Sequence, residues 1–256
     1  MTSPRWLELQ GAVNVRDVGG LPAAQGKTTR PGVLIRSDAV HQLTERDVAA
    51  LVDGVGLRHI IDLRAPGERR EQGRGRLGGT AVAYSDLNVL TDEVIAQRRK
   101  HREEAFARGD TDPATLIADG YHELLGHGRA AFVTALEAVA APEGAPALVH
   151  CSAGKDRTGV LVALLLDVAG VDRAAIVADY AATDERITQV RDRLAAMTAY
   201  TQLAADTPAM LLSAHAATME QFLDRLYAES GGAARWFLDA GAPEQALAAW
   251  RDRILA

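Results

Sequence analysis

The chain has 256 residues, with 34 acidic against 28 basic side chains, a net charge of −6 and a pI near 5.7. That length carries one large domain with a substantial core and does not require a second, while the acidic balance argues against nucleic acid as the main partner. A lone cysteine, Cys151, excludes an intramolecular disulfide and a cysteine-based zinc cage.

Along the chain, turns are marked by Gly19-Gly20-Leu21-Pro22 and Arg30-Pro31-Gly32, and a strand is predicted over 33–36. Thr44 opens a short helix, as a cap with the acidic Asp47 three residues beyond it. Strands are predicted over 58–63 and 81–84. Residues 92–141 read as helical, with breaks near Gly109-Asp110 and Gly126-His127-Gly128. The first of these helices has Val94, Ile95 and Phe106 as almost its only large apolar residues, and Arg98 to Arg102 fills its middle; it is too polar for a core helix. The short apolar run Ala147 to His150 reads as a buried strand. Thr158 to Ala169 is apolar nearly all round and stops at Gly170, which marks a core helix. Helices are predicted over 172–182, 184–197, 214–228 and 244–255. The alternation of strand and helix implies an α/β fold: a single domain over 1–256, a mostly parallel sheet of about four or five strands flanked by helices, and a large helical C-terminal part. Met1 to Gln10 holds no apolar core of signal-peptide length, and Val160 to Leu166, the longest apolar run, is far short of the ~20 residues of a membrane span. A soluble cytoplasmic protein without an integral membrane segment is the expectation, with secretion that needs no leader left open, and no oligomeric state is implied.

The chemistry concentrates in His150-Cys151-Ser152-Ala153-Gly154-Lys155-Asp156-Arg157-Thr158-Gly159. This loop joins the buried strand to the apolar helix, so Cys151 faces the unpaired N–H groups and positive end of a helix N-terminus. That field favours thiolate over thiol. Arg157 supplies a planar fork able to grip two phosphate oxygens, and Thr158 can set its hydroxyl beside the sulfur. A lone cysteine is usually a small buried hydrophobe, but here His, Cys, Arg and Thr coincide between strand and helix. Together they form a device for holding a phosphate and attacking its phosphorus.

His150-Cys151-x5-Arg157-Thr158 resembles the signature loop of the cysteine-dependent protein tyrosine phosphatase superfamily. Its filling, Ala153 to Gly159, is similar to that of an atypical bacterial branch of tyrosine/serine or lipid phosphatases. Asn14-Val15-Arg16-Asp17-Val18-Gly19-Gly20, Arg36-Ser37-Asp38, Ile60-Ile61-Asp62-Leu63-Arg64, Ile176 to Tyr180 and the Gly231-Gly232…Phe237-Leu238 stretch also resemble elements of that branch.

The resemblance implies a metal-independent, cofactor-free phosphomonoester hydrolase with Cys151 as nucleophile and Arg157 as oxyanion clamp. Ser152, Ala153, Gly154, Lys155 and Thr158 would bind the phosphate of a phosphoprotein or phosphoinositide. The leaving oxygen needs a proton donor, for which two residues stand: Asp156, inside the loop as in the branch, and Asp86, just after a predicted strand. Lys155 adds a cation that related phosphoinositide phosphatases use for ring phosphates. Ser152, however, stands where the tumour-suppressor lipid phosphatase has another lysine, which weakens that extension. Asp62 and Arg64 read as braces of the loop more than as pocket lining. The family includes members with helical lids, and about 90–127 is the lid candidate; a solvated surface helix is the competing reading for its polar part.

Gly73 to Gly78 spells GxGxxG but follows a polar segment and precedes a strand, the reverse of a dinucleotide site, so it reads as a turn. The histidines at 41, 59, 101, 122, 127 and 215 lack ligand spacing, whereas His150 can order the loop beside the nucleophile. Two rivals remain, a phosphate-binding module of little or no activity and a rhodanese-like sulfurtransferase.

Overall fold

The computed structural model describes residues 5–109, 112–197 and 209–256. Part of the N-terminal stretch weighed for a leader, residues 1–4, and Asp110 of the first helical break lie outside that range.

Six strands form one mixed sheet in the order β1-β2-β3-β6-β4-β5. They are β1 (Arg5–Trp6), β2 (Arg16–Asp17), β3 (Leu34–Ser37), β4 (His59–Asp62), β5 (Ala83–Asp86) and β6 (Ala147–His150). The sheet therefore exceeds the four or five strands expected. Its extra members, β1 and β2, are two residues long and antiparallel, too short to show any hydrophobic period. The other four strands, β3, β6, β4 and the edge strand β5, are parallel, and their register aligns Ser37, His150, Asp62 and Asp86 at the C-terminal edge. In open parallel sheets this edge is where ligand crevices form.

Alternation along the strands splits the core between two faces. Ile35, Ile60 and Leu148 point to the side covered by α1 (Glu45–Ala49), its π-helical continuation (Ala50–Val55) and the turn holding Leu77. Leu34, Ile61, Ala147 and Val149 point to the larger helical side. At its centre lies α6 (Asp156–Val168), whose residues from Arg157 to Leu166 are all buried, as its uniformly apolar sequence requires. Around it pack α4 (Pro113–His127), α5 (Arg129–Ala140), α7 (Arg173–Ala181) and the late helices α10 (Ala216–Ser230), α11 (Ala233–Asp239) and α12 (Glu244–Ile254). The Trp250 indole donates to the Leu165 carbonyl at 2.8 Å, seating α12 on α6. Before them come α2 (Pro66–Gln72) and α3 (Asp92–Arg108); α8 (Ile187–Ala195) and the short α9 (Ala209–Leu212) lie between α7 and α10.

The two predicted helical breaks appear as Gly109, a left-handed C-cap at φ +70°, and Gly128, which separates α4 from α5. The GxGxxG stretch is a turn, with Gly73 ending α2 and a 3₁₀ segment over Gly75–Gly79. Among the described residues no helix is long and apolar enough to cross a membrane.

Candidate active site

The signature loop leaves β6 at His150 and enters α6 at Asp156, so the strand edge and the helix N-terminus meet at Cys151. Cys151 is buried at 1% exposure. It opens onto a cavity of about 80 Å³ lined by Ser152, Ala153, Lys155, Asp156 and Arg157, with an opposing wall of Ile187, Val190, Leu194, Leu211 and Leu212 from α8 and α9, and Arg191 beside them.

Three successive loop carbonyls are held from outside. The Ala39 amide donates to Ser152 O at 3.1 Å, Asn14 Nδ2 to Ala153 O at 3.0 Å, and Arg36 Nη2 to Gly154 O at 2.9 Å. In a trans peptide the carbonyl and the next amide point opposite ways. Pinning these oxygens outward therefore turns the following N–H groups toward the cavity, which makes an anion nest. Gly154 has φ +68°, and a Cβ there would lie 2.6 Å from Ser37 O and 2.7 Å from Asp38 N, so only glycine fits.

Behind the loop is a buried charge network. Asp179 takes Arg16 Nε at 2.9 Å and Arg36 Nη1 at 2.5 Å. Arg16 also donates to Asn14 Oδ1 at 2.6 Å, fixing the amide that holds Ala153. Burial, followed by the neighbouring Arg36, lowers Arg16 to about 10. Burial pushes Asp179 up, but the two guanidiniums overcome it and hold its carboxyl below the ordinary value. Asp38 accepts the Val13 and Asn14 amides at 3.0 Å each, and its burial raises it. Asn14 and Arg16, Arg36 and Asp38, and Asp179, drawn from the stretches at 14–20, 36–38 and 176–180, therefore converge on the rear of the loop.

The Asp62 and Arg64 pair ties the end of β4 to the end of α2 and approaches the loop through His150. Both are fully buried, Arg64 Nη2 lies 2.6 Å from Asp62 Oδ2, and the guanidinium ties on to Gly73 O at 2.9 Å. Burial opposes ionisation of Asp62, but His150 and Arg64 hold it well below the usual carboxylate range. His150 Nε2 is 3.6 Å from Asp62 Oδ2, and Nδ1 is 3.2 Å from Cys151 O. Burial pushes His150 below its ordinary value, with Asp62 opposing.

Arg157 meets a partner that sequence reasoning missed. Glu68 of α2 takes its guanidinium bidentately, at 2.5 and 2.8 Å, and Leu63 O accepts at 3.2 Å. Glu68 also accepts from Ser152 Oγ and, at 2.5 Å, from the Ala65 amide. The carboxylate thus fixes the plane of the arginine fork. Pro66 at the first helical position and Glu68 at the third are a helix-start signal in the sequence, placed directly after the Asp62-Leu63-Arg64 strand end.

Lys155 turns away from solvent. It is 4% exposed, and its ammonium donates to Leu211 O, Leu212 O and Ser213 O at 3.2, 2.9 and 3.3 Å, tying the loop to the end of α9. The Thr158 hydroxyl is buried, with no hydrogen-bond partner among the described residues.

The two proton-donor candidates sit apart. Asp156 lines the Cys151 cavity and, with Arg157, also the inner wall of a second cavity of about 490 Å³ bounded by α2, α3 and α4. Its Oδ1 accepts from the Tyr121 hydroxyl at 2.8 Å and is 3.6 Å from Lys155 Nζ. Asp86 pairs with Arg74 at 2.8 Å and lines a cleft with Arg64, Arg69 and Arg70 that Cys151 does not reach.

In the lid candidate, α4 is a core helix that buries Leu116, Ile117, Tyr121, Leu124 and Leu125. Polar α3 lies over it, its Val94, Ile95 and Phe106 packed against the core and Arg98 bound to Glu123 at 2.9 Å and to Gly120 O. Among the described residues no group of three or more His, Cys, Asp or Glu side chains is placed to hold a metal ion.

A thiol, an arginine held in plane and an inward-turned amide loop at a helix N-terminus define a cysteine-dependent phosphatase site. The sequence pattern of the tyrosine phosphatase family matches residues 7–256, and the chain belongs to that family. It is 34% identical over 208 residues to the triple specificity protein phosphatase PtpB of Mycobacterium tuberculosis, an overlap covering 74% of this chain and 73% of PtpB. It is 29% identical over 160 residues to a tyrosine-protein phosphatase of Nostoc commune, covering 62% of this chain and 51% of that protein. A crystal structure of P. aeruginosa TpbA overlaps 82% of this chain and 92% of its own at a TM-score of 0.34 and 15% identity, too slight a likeness to bear on fold or function.

Proposed function

We propose that this phosphatase hydrolyses phosphotyrosine in two displacements within the Cys151 loop. Cys151 Sγ attacks phosphorus in line, so that the S–P bond forms as the P–O bond to the leaving group breaks, and Asp156 passes its proton to the departing oxygen. Water then attacks the phosphocysteine. The S–P bond breaks, Asp156 recovers a proton from that water, and inorganic phosphate leaves. Arg157 and the loop amides hold the equatorial oxygens, most strongly as charge spreads over them in the transition state. The observation that carries this reading is the trio of outward-pinned carbonyls at Ser152, Ala153 and Gly154 around a buried cysteine.

Asp156 is favoured over Asp86 as the acid because it borders the cavity that holds Cys151. The apolar wall from α8 and α9 suits an aromatic leaving group. The name of PtpB, a triple specificity protein phosphatase, supports activity on phosphate esters beyond phosphotyrosine, and phosphoserine, phosphothreonine and phosphoinositides are the candidates to try. The inward use of Lys155 ranks ring-phosphorylated inositols below phosphotyrosine. Of the lid candidate, α3 alone retains that role, since α4 belongs to the core. A cytoplasmic setting, where a lone thiol stays reduced, fits this chemistry.

The test is turnover of p-nitrophenyl phosphate, abolished by Cys151→Ser and blocked by vanadate. A wild-type protein that binds phosphopeptides without turnover would be a binding module, and vanadate-insensitive thiosulfate chemistry would mark a sulfurtransferase. A panel of phosphotyrosine, phosphoserine and phosphoinositide substrates at equal concentration ranks the leaving groups.

A further inference from the structure

Two buried tyrosines form a chain that ends on the loop carboxylate. Tyr121 of α4 and Tyr180 of α7 are each 1% exposed. Their hydroxyls are 2.7 Å apart, and the rings meet edge to face with centroids 6.1 Å apart. Tyr121 donates to Asp156 Oδ1 at 2.8 Å. A phenol has one proton to give, so the Tyr121 oxygen must be the acceptor in its contact with Tyr180. The order of donation is therefore Tyr180 to Tyr121 to Asp156. Tyr180 is itself locked: a Cβ on Gly159 would lie 3.1 Å from its ring, and the preceding residue is Asp179 of the arginine network.

We propose that Tyr121, oriented by Tyr180, is a positioning residue that holds Asp156 in the rotamer and protonation geometry of the general acid. With Tyr121 O–H directed at Oδ1 and Lys155 Nζ on the same side, Oδ1 is committed as an acceptor. The transferable proton then sits on Oδ2. In the first displacement it moves from Oδ2 to the leaving oxygen, while Oδ1 keeps the Tyr121 hydrogen bond to the resulting carboxylate. In the second displacement a proton of the attacking water returns to Oδ2. Neither tyrosine changes its own protonation: burial drives both phenols well above their ordinary values, which keeps them donors throughout.

This inference rests on the reading of Asp156 as the acid, and a series of aryl phosphates with graded leaving groups separates the two. The slope of log kcat/KM against leaving-group pKa reads the first displacement. Asp156→Asn is expected to steepen it strongly. Tyr121→Phe is expected to steepen it partly, losing about 10-fold on phenyl phosphate but less than about 2-fold on p-nitrophenyl phosphate. Vanadate inhibition should be unchanged, showing that the anion loop is intact. Tyr180→Phe, which leaves the Tyr121 hydroxyl in place, should move the slope in the same direction by less. The double variant should be no steeper than Tyr121→Phe alone, because Tyr180 acts only through Tyr121. The positioning role alone is overturned if Asp156→Asn steepens the slope and Tyr121→Phe does not. It is also overturned if Tyr121→Phe lowers all esters equally while weakening vanadate, the mark of a structural defect. If Asp156→Asn leaves the slope unchanged, the acid assignment and the positioning role fall together.

Discussion

The loop has two faces built from opposite materials. Behind it, Arg16, Arg36, Asp179 and Asn14 are almost wholly buried, charged or polar, and joined into one network that grips the carbonyls of Ala153 and Gly154. In front, α8 and α9 offer a mainly aliphatic wall across a small cavity. Burying several charges is poor economy for stability, since replacing a buried ion pair by well-packed apolar groups of the same volume is often neutral or even stabilising. Hydrogen bonds to specific backbone oxygens, in contrast, do what apolar packing cannot: they set the direction of each peptide plane. The rear of the loop therefore determines geometry, and the front determines what fits.

The largest effect that would sharpen this contrast is at the rear. Asp179→Ala leaves Arg16 and Arg36 buried without their carboxylate, and a loss of about 3–5 kcal/mol is expected by denaturant unfolding. If the loss is under about 1 kcal/mol, the network is not what holds the loop. Gly154→Ala comes next, with a Cβ 2.6 Å from a backbone oxygen at positive φ. A cost of at least about 2 kcal/mol and a collapse of vanadate affinity are expected. Glu68→Gln keeps the shape but removes the charge that holds the Arg157 fork, so kcat/KM should fall about tenfold, or ~1.4 kcal/mol, while the amide retains part of the hydrogen bonding and keeps the stability loss below that of Asp179→Ala.

pH tests the same face more gently. His150 has its folded value lowered by burial, so the unfolded chain takes up the proton more readily. Its contribution to stability is complete above the unfolded value of ~6.5 and is lost as pH falls below it. Asp62 and Asp179, also lowered in the folded protein, add losses only as pH drops below ~4. The melting temperature should decline from pH 7 to 5, and His150→Asn should make that segment shallower, the remainder coming from His41, His59 and His122, which burial also lowers. A flat wild-type profile would contradict a buried neutral imidazole. The smallest effect is expected at Asp86, whose half-exposed pair with Arg74 is worth ~0–1 kcal/mol. Asp86→Asn should change kcat/KM less than about twofold, and a loss matching that of Asp156→Asn would return the acid role to Asp86.

Much of this was legible before folding. The apolar runs at 147–150 and 158–169 announced the strand and core helix because burial dictates composition, and the Cys151 to Arg157 spacing named the chemistry they flank. The strands at Arg5–Trp6 and Arg16–Asp17 were not legible, because two residues carry no period. Asn14, Arg16, Arg36 and Asp179 could be quoted as elements resembling a family, but their common purpose could not be read. Their separations in sequence, 163 residues between Arg16 and Asp179, mean that only the tertiary fold joins them. Tyr121 gave no signal at all, since on an apolar helix face a tyrosine looks like core until its hydroxyl is seen to meet Asp156.

By itself, then, the sequence marked Cys151 as the candidate nucleophile, Arg157 beside it and the α/β frame, because these depend on local spacing and on hydrophobic period. The tertiary structure alone decided which carboxylate fixes Arg157, which side of the loop Lys155 serves and which aspartate borders the Cys151 cavity. Those are questions of direction between distant side chains, and direction is set by packing, not by order along the chain.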